Sequence, residues 1–521
     1  MSGFRLRLLL AVPLAAALFV GACGGGNSNS PDRASGSVPS EPRSGGTLTL
    51  LNQTETRSLD PTKMQIITST RGDGLVGFAL YGGLVLQDPA TGKVSMSMAQ
   101  SLDSTDSRVW TLKLRSGLRF SDGTTLDAAA VKFNWERHAA PGSTSSALTL
   151  VREIVSTEVV DPLTLRVTLD KPNGQWPRSL AGYPSNFIAS PKSLTGNPDT
   201  APVGAGPFVL KDWVRDDHMT LVRNPSYFDA PRPYLNELII RPIPDATQRY
   251  NSLVAGQGQI LYDSVDFKAM ATAEKGRYKI FRTDLGGGFT FVLNTSRAPM
   301  NDVRVRQAIE FGLDRDVLND LVNQGRANIV DTIAAPDTPF HDPSITYPKP
   351  DRGRAQQLID QVVHDTGKPV TFTILTNPQN QSTAEAIQTL LSEIKGFKIS
   401  VSTMDSTQAT VVQGNYDMAP SGTFFVDPEP KLWDQFHSGS PRNVTRYSNP
   451  KVDAALDTAR SSQNVDERRA AYAVVQRALI DDEPVLSLWR LPSSLVHDKT
   501  VQNLHTIEDG VLRADLVWLS E

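Results

Sequence analysis

The 521-residue chain reads as an α/β protein in two parts, a mixed-sheet part followed by one in which strands and helices alternate. Three observations carry that reading. Apolar residues recur at period two in the first third, in Trp110, Leu112 and Leu114 and again in Leu165, Val167 and Leu169, which is the spacing of half-buried strands. From Val370 the order is strand (VTFTILT), helix (Ile387, Leu390, Leu391 and Ile394 at helical spacing) and strand (KISVS), which implies a parallel sheet faced by helices. Beyond residue 22, no run approaches the roughly eighteen apolar residues of a membrane helix.

The elements follow in order. Arg5 and Arg7 precede an apolar stretch from Leu8 to Val20, broken only by Pro13, and the small residues Gly21 and Ala22 follow. That is the charge, apolar core and cleavage site of an export signal, so residues 1–22 are expected to be removed. Cys23 is the only cysteine, which excludes a disulfide within the chain and leaves stability to the core. Residues 23–44, rich in Gly, Ser, Pro and Asn, bury too little to offset ordering and are expected to form a flexible tether. GGTLTLL (45–51), VWTLKLRSGLRF (109–120) and LTLRVTLD (163–170) read as strands. Ser121-Asp122-Gly123 marks a turn, and Asp127 caps a helix that carries Val131 and Trp135 on one side. Gly286-Gly287-Gly288 runs into a strand instead of a helix, so it lacks the helix N-terminus that would hold an anion and reads as a bend or close backbone crossing between domains. Residues 302–325 form two helices, the second capped by Asp314, with Val317, Leu318, Leu321 and Val322 on one face and Gly325 as terminator. Two long helices follow, at about 450–461 and 465–481.

Charge and motifs exclude several functions. Without Arg5 and Arg7, 50 basic residues face 56 acidic ones, a net charge of −6 that argues against a nucleic-acid partner. The seven histidines are scattered, none three to five residues from another, so neither a metal site nor any other cofactor is expected. The chain has no Gly-x-Ser-x-Gly elbow and no phosphate-cradling Gly-x-x-x-x-Gly-Lys, and its acids read as a solvated surface; it is not expected to be an enzyme.

Longer segments add a resemblance. Val20-Gly21-Ala22-Cys23 resembles the lipobox of bacterial lipoproteins, whose cysteine is acylated and becomes the first residue. GGTLTLLNQTETRSLDP, the Phe-x-Asp-Gly-Thr pattern in LRFSDGTTLDAAAVKFNWER, VGAGPFVLKDW, LVRNPSYF, LNTSRAPMNDVRVRQAIEFGLDRDVL and NPKVDAALDTARSSQNVDERRAAYAVVQRALIDDEPVLSLW are similar, in order across 45–498, to signature segments of the family 5 extracytoplasmic solute-binding proteins. These are the oligopeptide and dipeptide binders of ABC importers. The resemblance implies a periplasmic-binding-protein type II-like fold: two lobes around a ligand cleft, an extra domain, and a discontinuous first lobe. The expected partition is lobe 1 at 45–88, 201–290 and 487–521, the extra domain at 89–200 and lobe 2 at 291–486. It further implies a monomer, a peptide or small-molecule ligand, an ABC permease with its ATPase subunits as partners, and a place on the outer face of the cytoplasmic membrane, held by the lipid on Cys23. A lipoprotein that keeps the fold and serves instead as a scaffold or regulator of the cell envelope is the alternative.

Ligands of open α/β sheets sit beyond the carboxyl ends of strands, which directs attention to the stretch after YDMAPSG, including Gly422. Peptide-binding members of the family carry here an aspartate, three residues before an acidic-proline pair, that meets the peptide's α-ammonium. In this chain the pair is Asp427-Pro428 and Phe424 stands three residues earlier, so that anchor is missing. Either Asp427 or Glu429 takes over the ammonium, or the ligand has no free amine and Phe424 and Phe425 form an apolar wall. Asp427 also fits a turn residue before proline, and strand alternation turns one of the two phenylalanines inward. Trp433 and Trp489 are further aromatic candidates, Asn52, Gln53 and Thr54 resemble the family's polar cleft loop, and Phe289 lies on its inter-lobe strand. In AGQGQI (255–260), Gln257 and Gln259 stand where relatives often carry acids, a local loss of charge.

Overall fold

A computed structural model describes residues 41–66, 71–262, 267–283, 285–336, 338–490 and 493–520. The export signal, Cys23 and the tether up to residue 40 lie outside the described residues; residues 41–44 are exposed and without regular structure.

Three sheets organise the chain. The first has seven strands in the order Lys279–Thr283, Ser493–His497, Ile260–Leu261, Thr47–Asn52, Glu237–Pro242, His218–Arg223 and Phe208–Val214. Thr47–Asn52 runs parallel to both its neighbours, and the outer pairs are antiparallel. Its Leu48 and Leu50 pack with Leu75 and Val76 of the helix Arg71–Tyr81 in one core. The second sheet is antiparallel, in the order Ala99–Asp103, Val109–Leu114, Thr164–Leu169, Ile154–Asp161. Here the period-two residues Trp110, Leu112, Leu114, Leu165, Val167 and Leu169 are all buried, against Val131 and Trp135 of the helix Ala128–Ala139. Asp127 caps that helix by accepting from the Ala130 N–H at 2.9 Å.

The third sheet has six strands, in the order Asn328–Ile329, Val485–Arg490, Gly286–Leu293, Met418–Phe425, Val370–Thr376 and Phe397–Thr403. Val370–Thr376 and Phe397–Thr403 are parallel, joined through the helix Gln381–Leu391, whose Ile387, Leu390 and Leu391 are buried. One face of the sheet carries Phe291, Phe372 and Leu486; the other carries Val292 and Phe425 with Tyr472 of the helix Val465–Asp482.

The chain passes between the seven- and six-stranded sheets twice, after Thr283 and after Arg490. The sequence places these crossings at 290 and 487, inside the strands Gly286–Leu293 and Val485–Arg490; ladder hydrogen bonds hold both strands wholly in the six-stranded sheet. A second difference concerns the helix Arg315–Asn323. Its cap is Asp314 as expected, but Val317 and Leu321 are 42% and 61% exposed. The helix is anchored instead through Arg315, Leu318 and Asn319: Arg315 pairs with buried Glu310 at 2.7 Å, and the Asn319 amide brackets the backbone of Ala327 at 3.0 and 3.1 Å. Gln324, at φ 57°, takes the left-handed position ahead of Gly325. No helix among the described residues is long and apolar enough to cross a membrane.

Candidate functional site

The glycine triplet sets the geometry at the end of the six-stranded sheet. Gly286, Gly287 and Gly288 pair with Phe425, Phe424 and Thr423. Gly287 has φ +71°, and a Cβ there would lie 2.0 Å from the Thr423 carbonyl oxygen, so no other residue lets the strands meet this closely. A Cβ on Gly286 would fall 2.5 Å from the Phe425 ring, which fills the space the glycine vacates. Phe425 is therefore core, and alternation turns Phe424 to the opposite face.

That opposite face is open. Gly422 lies on an internal strand of the sheet and is nonetheless exposed, with the half-buried Phe424 ring resting over it. Beside Gly422 in register is Phe289, also half-buried, and beside Phe289 is Trp489. The Phe289 and Trp489 rings stack at 5.5 Å, and Phe291 meets Phe289 edge-on at 5.6 Å. Trp489 is 4% exposed and backs the wall without facing outward. On its other side, Met418–Phe425 pairs with Val370–Thr376 at Met418 alone, so beyond Pro420 no described strand runs along that edge. Proline, which has no N–H, suits such a position. The result is a strip of main chain flanked by two aromatic rings. Behind it, a small cavity of about 20 Å³ under Phe425, lined by Gly287, Thr290, Tyr347 and Ser487, has room for a water.

The polar loop after the first strand is divided in role. Asn52 is buried, donates to the Thr54 carbonyl at 2.9 Å and accepts from the Gln53 N–H at 2.9 Å; it shapes the loop. Gln53 and Thr54 are half-exposed.

The expected acidic candidates lie elsewhere, in a buried seam. Asp427 receives both Arg468 guanidinium nitrogens, one at 2.9 Å, and Arg178 Nε lies 3.3 Å away. Glu429, 0% exposed, meets Arg460 Nε at 2.7 Å. Asp427 is matched on both oxygens by guanidinium groups and Glu429 on one, with its second oxygen enclosed in the seam without a hydrogen-bond partner among the described residues, which places both carboxylates away from the open strip and facing arginines instead of a ligand's ammonium. Trp433 belongs to the same seam: its indole N–H donates to Asp457 at 3.0 Å, His437 stacks on it at 4.4 Å, and Arg460 lies 3.8 Å over its ring. Burial raises the Glu429 pKa against the lowering influence of Arg460. Burial pulls the Arg460 guanidinium down, but Glu429 and Glu153 more than offset it.

Sequence reasoning missed Arg178, Glu153, Arg460 and Arg468, although one signal was present. Arg460 continues the buried stripe Val452, Leu456, Ala459, and Arg468 starts the stripe Ala471, Tyr472, Val475. An arginine inside an apolar stripe needs a buried partner.

Comparison with known proteins agrees with this architecture. A family model described as bacterial extracellular solute-binding proteins, family 5 (middle), matches residues 93–443. The chain is 26% identical over 482 residues to the periplasmic oligopeptide-binding protein OppA of Salmonella typhimurium, covering 85% of this chain and 87% of that one. It is 27% identical over 432 residues to the glutathione-binding protein GsiB of Salmonella paratyphi A, covering 78% and 82%. Among solved structures, AgaA of A. tumefaciens R10 in complex with agropinic acid superposes with a TM-score of 0.80 at 25% identity, covering 91% of this chain and 99% of that one. DppA of Helicobacter pylori in complex with the peptide STSA gives 0.80 at 24% identity, covering 92% and 99%, and shows the shared fold.

Proposed function

Since the chain belongs to the family 5 bacterial extracellular solute-binding proteins, we propose that it captures short peptides outside the cytoplasm for an ABC importer, holding them by main chain and aromatic faces without a carboxylate anchor for the amine. The protein is a binding component and not an enzyme. The observation that carries the reading is the exposed Gly422 strip, with no described strand along its edge beyond Pro420, between Phe289 and Phe424. An extended peptide can add main-chain hydrogen bonds along such an edge and rest side chains on the rings. OppA's name gives oligopeptides and GsiB's gives glutathione, itself a peptide. AgaA, with agropinic acid, marks the non-peptide alternative.

The two halves, one on the seven- and four-stranded sheets and the other on the six-stranded sheet, act in this reading as lobes about the two crossings, closing on the solute through its higher affinity for the closed form. Cys23, acylated after cleavage at residue 22, would anchor the protein to the outer face of the membrane and keep it concentrated near the permease. Calorimetric titration with short peptides and their N-acetylated forms is the test. Acetylation is expected to change affinity by less than about threefold. A loss of tenfold to a hundredfold on acetylation, the worth of a charged hydrogen bond, would restore an amine anchor. No binding by either form would remove peptides from consideration.

A further inference from the structure

Several noncovalent contacts join the two halves, among them Arg178 with Asp427, Tyr183 with Asp434 and Lys431 with Asp509, and one side chain among them, Arg460, is bonded to a carboxylate on each side. Arg460 lies at the end of the helix Pro450–Ser461 in the half built on the six-stranded sheet, its guanidinium carbon 3.8 Å over the Trp433 ring. Its Nε meets Glu429 of the same half at 2.7 Å, and its Nη1 meets Glu153, from the part built on the four-stranded sheet, at 2.9 Å. The second Glu153 oxygen accepts from Asn173 Nδ2 at 2.9 Å. Two residues on, the Gln175 N–H and side-chain amide donate to the Arg460 and Ser462 carbonyls at 3.2 and 2.7 Å.

The partition of these bonds matters. The Trp433 and Glu429 contacts stay within one half, so they hold the guanidinium in place whether or not the halves meet. The Glu153 contact is made only across the seam. Because its partner is fixed beforehand, that bond forms with little ordering cost, and what opposes it is the desolvation of Glu153. Burial raises the Glu153 carboxyl to about 7, against the lowering by Arg460 and Asn173.

We infer that Arg460 is a positioning residue for solute capture, a guanidinium fixed in advance by Trp433 and Glu429 that latches onto Glu153 as the halves close and releases it as they part. The inference rests on the reading that solute is held between the two halves. A latch of this kind sets how long the closed form persists and so acts on solute release more than on capture.

The test is small-angle X-ray scattering of the full chain at pH 8, comparing wild type with Arg460→Met and Glu153→Gln. Arg460→Met also strips Glu429 of its partner and can unfold the protein; Glu153→Gln leaves that pair intact and keeps the question answerable. The expected result is a larger radius of gyration for Glu153→Gln with an unchanged thermal midpoint, corresponding to a rise of roughly tenfold in the open-to-closed ratio. Scattering from Glu153→Gln that superposes on wild type would overturn the latch. Scattering requires no solute, so failure of the peptide reading leaves this outcome standing, and the reverse.

Discussion

The Gly422 strip lies within one half of the molecule and the Arg460 seam between the two, and they are built on opposite principles. The strip is open, uncharged and made of main chain and aromatic rings. The seam is closed and made of guanidinium–carboxylate pairs from distant parts of the chain. A surface without charge accepts many solutes, because neither a backbone edge nor a ring face depends strongly on side-chain identity. Buried ion pairs accept only one arrangement, since a displaced charge is left unpaired. In the proposed reading, breadth of binding and precision of alignment fall to separate places.

The largest effect that would test this contrast comes from the seam. Asp427→Ala leaves Arg468 and Arg178 buried opposite no carboxylate, and urea denaturation is expected to show a loss of about 3–5 kcal/mol. Next is the frame of the strip. Gly287→Ala forces a Cβ against the Thr423 carbonyl at a left-handed φ, and about 1–3 kcal/mol of stability should be lost along with solute affinity. Phe424→Ala separates the two regions: peptide affinity is expected to fall by about tenfold in titration, with unfolding free energy within about 1 kcal/mol of wild type. An equal loss of stability would place Phe424 in the core and collapse the contrast.

An effect that vanishes only at acid pH concerns Glu508, in the turn that reaches the seam through Asp509, which pairs with Lys431 at 2.6 Å. Burial raises the Glu508 carboxyl to about 8; the Gln87 N–H lowers it and Asp509 raises it further. Because the folded pKa lies above the unfolded one, its contribution is present in full below about 4.5 and is lost as pH rises through 8. Glu508→Gln, which cannot ionise in either state, should therefore match wild type at about pH 4 and become the more stable protein as pH rises, with the gap already large at pH 7 and level above about 8. Thermal midpoints across that range give the answer, and parallel curves for the two proteins would contradict the protonated assignment.

How much could be read in advance follows the same division. Local rules gave what local energies decide: period-two strands around Trp110 and Leu165, the caps Asp127 and Asp314, the parallel pair flanking Gln381–Leu391. The amphipathic reading of Arg315–Asn323 failed because Arg315 and Asn319 pay for burial with their own partners, a possibility that apolar spacing does not register. The seam was illegible for a different reason. Glu153 and Arg460 are 307 residues apart, and nothing near either one specifies the other. The aromatic wall was partly visible, since Phe289, Phe424 and Trp489 could be named, but the exposure of Gly422 depends on where a neighbouring strand stops.

The main-chain strip at Gly422 also constrains how this protein can change over generations. Amide and carbonyl groups are the same whatever codon stands at a position, so point mutation cannot retune that part of the surface directly, and any side chain at Gly287 behind it meets the Thr423 carbonyl. With the solute held at the strip as proposed, heritable variation in what the protein carries is channelled through the few flanking side chains, Phe289 and Phe424 foremost. A lineage adopting a new nutrient would leave its record at those two positions while the floor between them stayed silent.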